Sequence, residues 1–149
     1  MCRTLTDPAT AGCVVQPMAP PGVPVTVRAP ADARFGPVVS FGVSGVTTEL
    51  LGDRSYRIPP LTDVDAAEMV REVKAAPLLL GYRGGATADV RAVEDLLHRV
   101  SRLIDDLPEV ADVELGPVLV GTEGLALANA SAHVAAPDPR SAWYTRRLA

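Results

Sequence analysis

Aromatic residues, cysteine and histidine are scarce in this chain of 149 residues. Aromatic side chains make up 4% of the sequence, and there are two cysteines and two histidines. With few rings for base stacking, a net charge of −4 and arginines that are not gathered into one stripe, a nucleic-acid partner is not expected. Cys2 and Cys13 have no other cysteine or histidine at metal-ligand spacing, so we expect both to be reduced and incidental.

Long hydrophobic runs are also absent from the sequence. The longest apolar run, residues 75–81, contains Pro77 and is far too short to span a bilayer. The N-terminus lacks a basic region followed by an apolar stretch, so no secretory leader is predicted. We therefore expect no membrane partner and a cytoplasmic location. The hydrophobic share of 48% is enough for one core of ordinary size.

Two helices are predicted from apolar spacing. The first covers residues 61–76, because Thr62 and Asp65 form a capping pair and Pro77 is expected to end the helix. Its predicted buried stripe consists of Val64, Ala67, Val70 and Val73. The second covers residues 88–107, where apolar residues follow steps of three and four over five turns. His98 lies on the flank of that stripe, which favours a solvent-touching histidine over a base or ligand.

β-Branched segments predict strands in the first third of the chain. Residues 13–18 and 23–29 are expected to form a hairpin around the turn at 19–22, with Pro24 at a strand end or an edge. A turn at 32–37 then leads into a buried strand at 38–41. We predict an α+β fold, a mixed or antiparallel sheet with two helices packed on one face. Its expected extent is residues 13–134, between a loose lead-in (1–12) and a flexible tail (135–149).

Residues 110–134 predict a second hairpin, with its turn at 121–124. If the turn centres on Thr122 and Glu123, Gly116 lies opposite Asn129, at a Cβ separation of roughly 5 Å. Glu114, two residues before Gly116, faces the same way. One carboxylate, one carboxamide and one bare backbone position are therefore expected on a single patch.

The patch carries a family resemblance. E-L-G-P-V-L-V, a turn and A-L-A-N-A together resemble the closing hairpin of the ATP-grasp domain in NDP-forming acyl-CoA synthetases. In that family an Asn and an Asp hold the Mg²⁺ that bridges the nucleotide phosphates. Gly116 stands at the Asn position and Asn129 at the Asp position. The resemblance implies ATP and Mg²⁺ as cofactors, with Glu114 and Asn129 as weakened metal ligands and Gly116 as a lost ligand position.

A second segment, D-A-R-F-G-P-V-V-S-F-G-V-S-G-V-T-T-E, resembles the same family, whose pattern there ends in a glycine pair and a Glu. Ser44-Gly45 stand at the pair, Glu49 is retained, and Pro24 replaces a Glu of an earlier motif. Because a glycine-rich loop lets backbone amides approach a phosphate, nucleotide contacts are predicted for this segment. The predicted contacts are Gly42, Ser44, Gly45 and Glu49. A plain turn between strands is the alternative reading of residues 42–45.

G-Y-R-G-G, residues 81–85, resembles a G-x-R-G segment of the family. It adds Arg83 to the nucleotide-contact candidates, and pairing of Arg83 with a surface acid is the alternative.

The resemblance covers residues 13–134 and corresponds to the second of two ATP-grasp lobes. It implies several partners, in the same or another chain: the first lobe, and CoA-binding and ligase domains or, as in some bacterial proteins, a GNAT acetyltransferase domain. Three functions follow. The chain is a degenerate nucleotide and magnesium scaffold, a working ATP-binding subunit of a carboxylate–CoA ligase in which Glu114 holds Mg²⁺, or a ligand-free interaction module or gene remnant.

Overall fold

One antiparallel sheet of six strands forms the centre of the computed structural model, which describes residues 17–32 and 35–136. The strands lie in the order β5-β4-β1-β6-β7, and β8 also pairs with β6. Their bounds are β1 Val23–Arg28, β4 Val39–Val43, β5 Ser55–Arg57, β6 Val110–Val120, β7 Leu125–Leu127 and β8 Ala130–Val134. Two short strands, β2 (Ala31–Asp32) and β3 (Gly36–Pro37), pair separately.

Three α-helices accompany the sheet: α1 (Val46–Leu50), α2 (Asp63–Glu72) and α3 (Val90–Asp106). The two longer helices pack against each other and on one face of the sheet, which confirms the predicted fold class. That face is apolar, since Val25, Val27 and Phe41 are fully buried on it. On β1 these valines alternate with Thr26 and Arg28, which therefore project from the opposite face.

The predicted first hairpin is wrong. β1 pairs with β4 along one side and with β6 along the other, so neither of its edges is free for a strand at residues 13–18. Residues 17–18 are not in a strand, and 13–16 lie outside the described residues, as do both cysteines, the lead-in and residues 137–149 of the tail. Pro24 does lie near the start of its strand, and the predicted buried strand is present as β4, whose residues are all buried.

The loop predicted at residues 42–45 is shorter than expected. Gly42 and Val43 belong to β4, where Gly42 pairs with Thr26. Ser44 and Gly45 connect β4 directly to α1, so the segment is not a turn between two strands.

Helix α2 starts as predicted, and its predicted buried stripe is confirmed at Val70 and at Val73, just after the helix, but not at Val64. Thr62 and Asp65 form the capping box, but the helix ends at Glu72, because Val73 has extended backbone torsions well before Pro77. Val64 is largely exposed, and the buried residues of the helix are Ala66, Met69 and Val70. The helix is bound to β5, where the Ser55 hydroxyl donates to the Met69 carbonyl at 2.9 Å.

Helix α3 confirms the predicted periodicity. It has 17 residues and buries Val93, Leu97, Val100 and Ile104. His98 lies on the flank, partly exposed, with its Nε2 3.3 Å from a carboxylate oxygen of Asp63. None of the helices in the part of the chain described here is both long and apolar enough to cross a membrane.

Asp89 joins the start of α3 to the turn of the second hairpin. One carboxylate oxygen accepts the Ala92 N–H at 3.1 Å, and the other accepts the Gly124 N–H at 2.8 Å. These two backbone donors, Ala92 first, hold the pKa of Asp89 below its ordinary value. Its own N–H donates to the Gly121 carbonyl at 2.7 Å. The hairpin turn is thereby fixed to the helix.

We expect Asp89→Asn to lower the melting temperature at neutral pH. A carboxylate whose folded pKa lies below its unfolded pKa stabilises the fold fully above the unfolded value, and this contribution is lost as the pH falls through the folded value. The melting temperatures of Asp89→Asn and wild type should therefore converge as the pH falls from above the ordinary carboxylate pKa to below the lowered folded pKa of Asp89. Asp95→Asn, on the exposed side of the same helix, is the control. A difference that is independent of pH would contradict a role for the charge.

Candidate functional site

The second hairpin has the predicted register. Val118 pairs with Leu127 and Val120 with Leu125 around the turn, and the register continues where Leu115 pairs with Ala130. The Gly116 N–H donates to the Asn129 carbonyl at 3.0 Å. Gly116 and Asn129 therefore face each other across the hairpin, as the sequence predicted.

A β-bulge brings Thr26 of β1 against Gly116. Val25 pairs with Val118 whereas Val27 pairs with Leu115, so Gly116 and Pro117 together face the single residue Thr26. A Cβ atom on residue 116 would lie 2.9 Å from Thr26 Oγ1 and 3.1 Å from its Cγ2. Thr26 thus fills the space that a side chain at position 116 would need.

The carboxylate of Glu114 is engaged by an arginine of the neighbouring strand. Glu114 pairs with Arg28 across β1 and β6, and Arg28 Nη2 lies 2.5 Å from Glu114 Oε1. Both side chains are partly exposed on the face opposite the long helices. A charged hydrogen bond of this kind neutralises the only carboxylate among the predicted metal ligands.

Ser44 and Gly42 adjoin the same face. The hydroxyls of Ser44 and Thr26 lie 2.5 Å apart, and the Ser44 N–H donates to the Pro24 carbonyl at 2.8 Å. Gly42 has room for no side chain, since a Cβ there would lie 2.9 Å from the Asp53 carbonyl oxygen and 3.1 Å from Cγ of Arg54. Nη1 of Arg54 is buried and has no hydrogen-bond partner among the residues that the structure describes.

Four predicted site residues therefore form one row across the sheet. Thr26 contacts Ser44 through its hydroxyl, pairs with Gly42 and lies against Gly116. The Gly116 N–H in turn bonds to Asn129. We call Ser44, Gly42, Thr26, Gly116 and Asn129 the polar row.

The other predicted contacts are not members of the polar row, although Gly45 follows Ser44 directly. Gly45 precedes α1 and Glu49 is an exposed residue of that helix. Arg83 lies in the loop between α2 and α3, where its guanidinium stacks on the Tyr82 ring, 5.3 Å from the centroid. A ligand contact by these residues stays a prediction.

Three residues of this face, Thr26, Arg28 and Arg54, are not among the site residues predicted from the sequence. The alternation Val25-Thr26-Val27-Arg28 was available as a signal, because a strand buried on one face places every second side chain on the other. Their partners were not accessible from local pattern, since Arg28 and Glu114 are 86 positions apart in sequence.

The donor set at this face is a poor fit for magnesium. Mg²⁺ prefers charged oxygen ligands in octahedral geometry. The polar row offers the neutral amide of Asn129 and no side chain at Gly116, and the adjacent Glu114 is paired with a guanidinium. No cluster of three or more His, Cys, Asp or Glu side chains suited to a metal occurs among residues 17–32 and 35–136.

Comparison with known proteins supplies the family. Residues 2–134 match the ATP-grasp domain. Acetate–CoA ligase (ADP-forming) I of Archaeoglobus fulgidus is 47% identical over 116 residues, which cover 78% of this chain and 17% of that protein. Subunit beta of acetate–CoA ligase (ADP-forming) II of Pyrococcus furiosus is 40% identical over 114 residues, covering 76% of this chain and 48% of the subunit.

A solved structure agrees with these relatives. The dinucleotide forming acetyl-coenzyme A synthetase 1 of Ca. Korarchaeum cryptofilum, in complex with coenzyme A and Mg-AMPPCP, is 40% identical with a TM-score of 0.74. The match covers 78% of this chain and 55% of that chain. The chain thus spans about half the length of these relatives or less. This chain belongs to the ATP-grasp domain family, and it is similar to part of the ATP-grasp region of ADP-forming acetyl-CoA synthetases.

Proposed function

We propose that the chain supplies one half of an ATP-grasp nucleotide site in a synthetase-like protein, and that the magnesium cradle of this half is degenerate. The ion pair between Arg28 and Glu114 carries the proposal. Binding Mg²⁺ through Glu114 would require breaking this pair and placing the metal beside a guanidinium, and both steps oppose coordination. Gly116 and Asn129 offer no charged oxygen in compensation.

Nucleotide binding is proposed from the relatives and the polar row together. The Korarchaeum structure was obtained with Mg-AMPPCP and coenzyme A, and its match covers 78% of this chain. The Ser44 hydroxyl is partly exposed and can hydrogen-bond to a phosphate oxygen. The proposed partners are the remaining half of the ATP-grasp region and CoA-binding and ligase domains or a GNAT acetyltransferase domain.

The alternative is a working ATP-binding subunit of an acyl-CoA synthetase. Its support is the 47% identity to an acetate–CoA ligase. In this alternative the Glu114 carboxylate would leave Arg28 and would hold Mg²⁺ through its oxygen atoms. The two proposals therefore differ in what the charge of Glu114 does.

Glu114→Gln separates the two proposals. We would place this chain in the Pyrococcus furiosus subunit beta in exchange for the matching region, so that the rest of that subunit supplies the missing half. In this chimera we expect Glu114→Gln to leave the calorimetric affinity for Mg·ATP within about twofold, because the pair with Arg28 already neutralises the carboxylate. A working site predicts a loss of about tenfold or more.

Glu109→Gln, at an exposed position just before β6, is the matched control. The unmodified subunit beta serves as the reference for binding. A chimera that folds, as judged by cooperative melting, and binds no ATP with or without Mg²⁺ would contradict the nucleotide-site proposal itself. That result would favour the ligand-free interaction module.

A further inference from the structure

Helix α1 presents its apolar side chains to solvent. Val46, Leu50 and Leu51, at the helix and its C-terminal cap, are 86%, 84% and 66% exposed. Within the helix only Thr48 is half-buried, and it is polar. A surface helix normally buries its apolar side chains, and α1 leaves both of its own exposed. We call the three exposed side chains the α1 patch.

The α1 patch is held in a fixed position. The Thr48 hydroxyl lies 2.7 Å from the Val43 carbonyl oxygen and 2.9 Å from that of Gly45, both within donating distance. The Asp53 N–H donates to the Thr48 carbonyl at 3.0 Å. The Asp53 carboxylate in turn accepts the N–H groups of Lys74 and Ala75 at 2.8 and 2.9 Å. The helix is thus tied both to the end of β4 and to the segment after α2.

A rigid, exposed apolar surface of this kind is typical of an interface. We propose that the α1 patch is the docking surface for the other half of the ATP-grasp region, which the relatives carry and which the proposed function requires. The patch follows immediately after Ser44 and Gly45, so the docked half would lie beside the polar row. The identity of the docked partner rests on the proposed function. The location of the docking surface rests only on the exposure of the α1 patch.

The size of the α1 patch favours this occupant over a second copy of the chain. Full burial of three aliphatic side chains removes roughly 300 Å² from water. A stable interface between separate proteins buries about 800 Å² on each partner, so the patch is too small to hold a dimer by itself. It is adequate as one part of a contact between halves of a single domain, where the chain connection raises the effective concentration.

The test compares the isolated chain with the chimera described above. Amide hydrogen exchange of residues 46–51 should slow by about tenfold or more in the chimera, because the patch becomes covered. The double variant Val46→Ser/Leu50→Ser should leave the melting temperature of the isolated chain unchanged. In the chimera the same variant should lower the melting temperature by roughly 5 °C or more. Val64→Ser, at an exposed position of α2, is the matched control. It should not lower the melting temperature of the isolated chain or of the chimera.

Three outcomes would overturn the proposal. One is equal exchange of residues 46–51 in the chain and the chimera. Another is a chain that dimerises in light scattering and becomes monomeric in the double variant, which would identify a second copy as the occupant. If the chimera does not fold, serine substitutions at the two aligned positions of intact subunit beta decide, and an unchanged melting temperature would refute the docking. If residues 46–51 are protected from exchange in the chimera but the chimera does not bind ATP, only the proposed nucleotide site is refuted.

Discussion

Gly116→Asn is expected to lower the free energy of unfolding by about 1–3 kcal/mol, although asparagine is the residue that the resembling family carries at this position. The new Cβ would lie 2.9 Å from Thr26 Oγ1, closer than side-chain carbons approach. Thr26 cannot easily turn away, because its hydroxyl is bonded to Ser44. Denaturant unfolding followed by circular dichroism measures the change.

Thr26→Ala should relieve most of this cost. It removes both atoms nearest to the added Cβ, so Gly116→Asn should be much less destabilising in the Thr26→Ala background, with a coupling of about 1 kcal/mol or more. Gly52→Asn is a suitable control, since Gly52 has a φ of 61° that asparagine tolerates and nothing lies within 4 Å of its Cβ position. A Gly116→Asn variant as stable as the Gly52→Asn variant would contradict the packing argument.

Because Gly116 and Thr26 are coupled, a working magnesium site could not be restored by one substitution in the proposed degenerate site. Replacing Gly116 alone cannot restore a metal ligand, because Thr26 occupies the space and Arg28 holds the nearest carboxylate. We expect measurable Mg²⁺ binding only when Gly116→Asn is combined with Thr26→Ala and Arg28→Ala. The proposed loss of metal chemistry therefore involves Gly116, Thr26 and Arg28 on two neighbouring strands, in addition to the neutral amide of Asn129.

Local pattern was enough to predict the second hairpin and α3. In the hairpin a four-residue turn between two apolar runs sets the register, and the position of Gly116 opposite Asn129 follows from it. In α3 the apolar spacing extends over many turns, so only one face can be buried. Both features depend on residues that are close in sequence.

The remaining features depend on contacts that are distant in sequence. Helix α2 has only ten residues, so its apolar spacing alone does not fix the buried face. Packed beside β5, it buries Met69 and leaves Val64 exposed. The polar row is assembled by pairing β1 with both β4 and β6, which separates its members by tens of residues. No local pattern encodes that pairing. Thr26 and Arg28 were therefore not predicted as site residues, although they alternate with Val25 and Val27 in the sequence.

Phe41→Ala should be the most destabilising single change, lowering the free energy of unfolding by about 3–5 kcal/mol. Phe41 is fully buried at the centre of β4, pairs with Val27 on one side and Ser55 on the other, and contributes to the core beneath both long helices. The cavity left by its ring cannot be filled by backbone that is paired on both sides. Since domains are typically stable by only 5–15 kcal/mol, the variant loses a large share of its stability.

Phe35→Ala provides a control with the same chemical change. The chain has two phenylalanines, and Phe35 is 63% exposed, so its truncation should alter stability by no more than about 0.5 kcal/mol. If Phe41→Ala does not fold, Phe41→Leu, which keeps most of the volume, should fold and cost about 1 kcal/mol. Because Gly42 follows Phe41 directly in β4, loosening this strand should also disturb the polar row, and nucleotide binding by the chimera should weaken with it. Equal effects of Phe35→Ala and Phe41→Ala on the denaturation midpoint would contradict the assigned core.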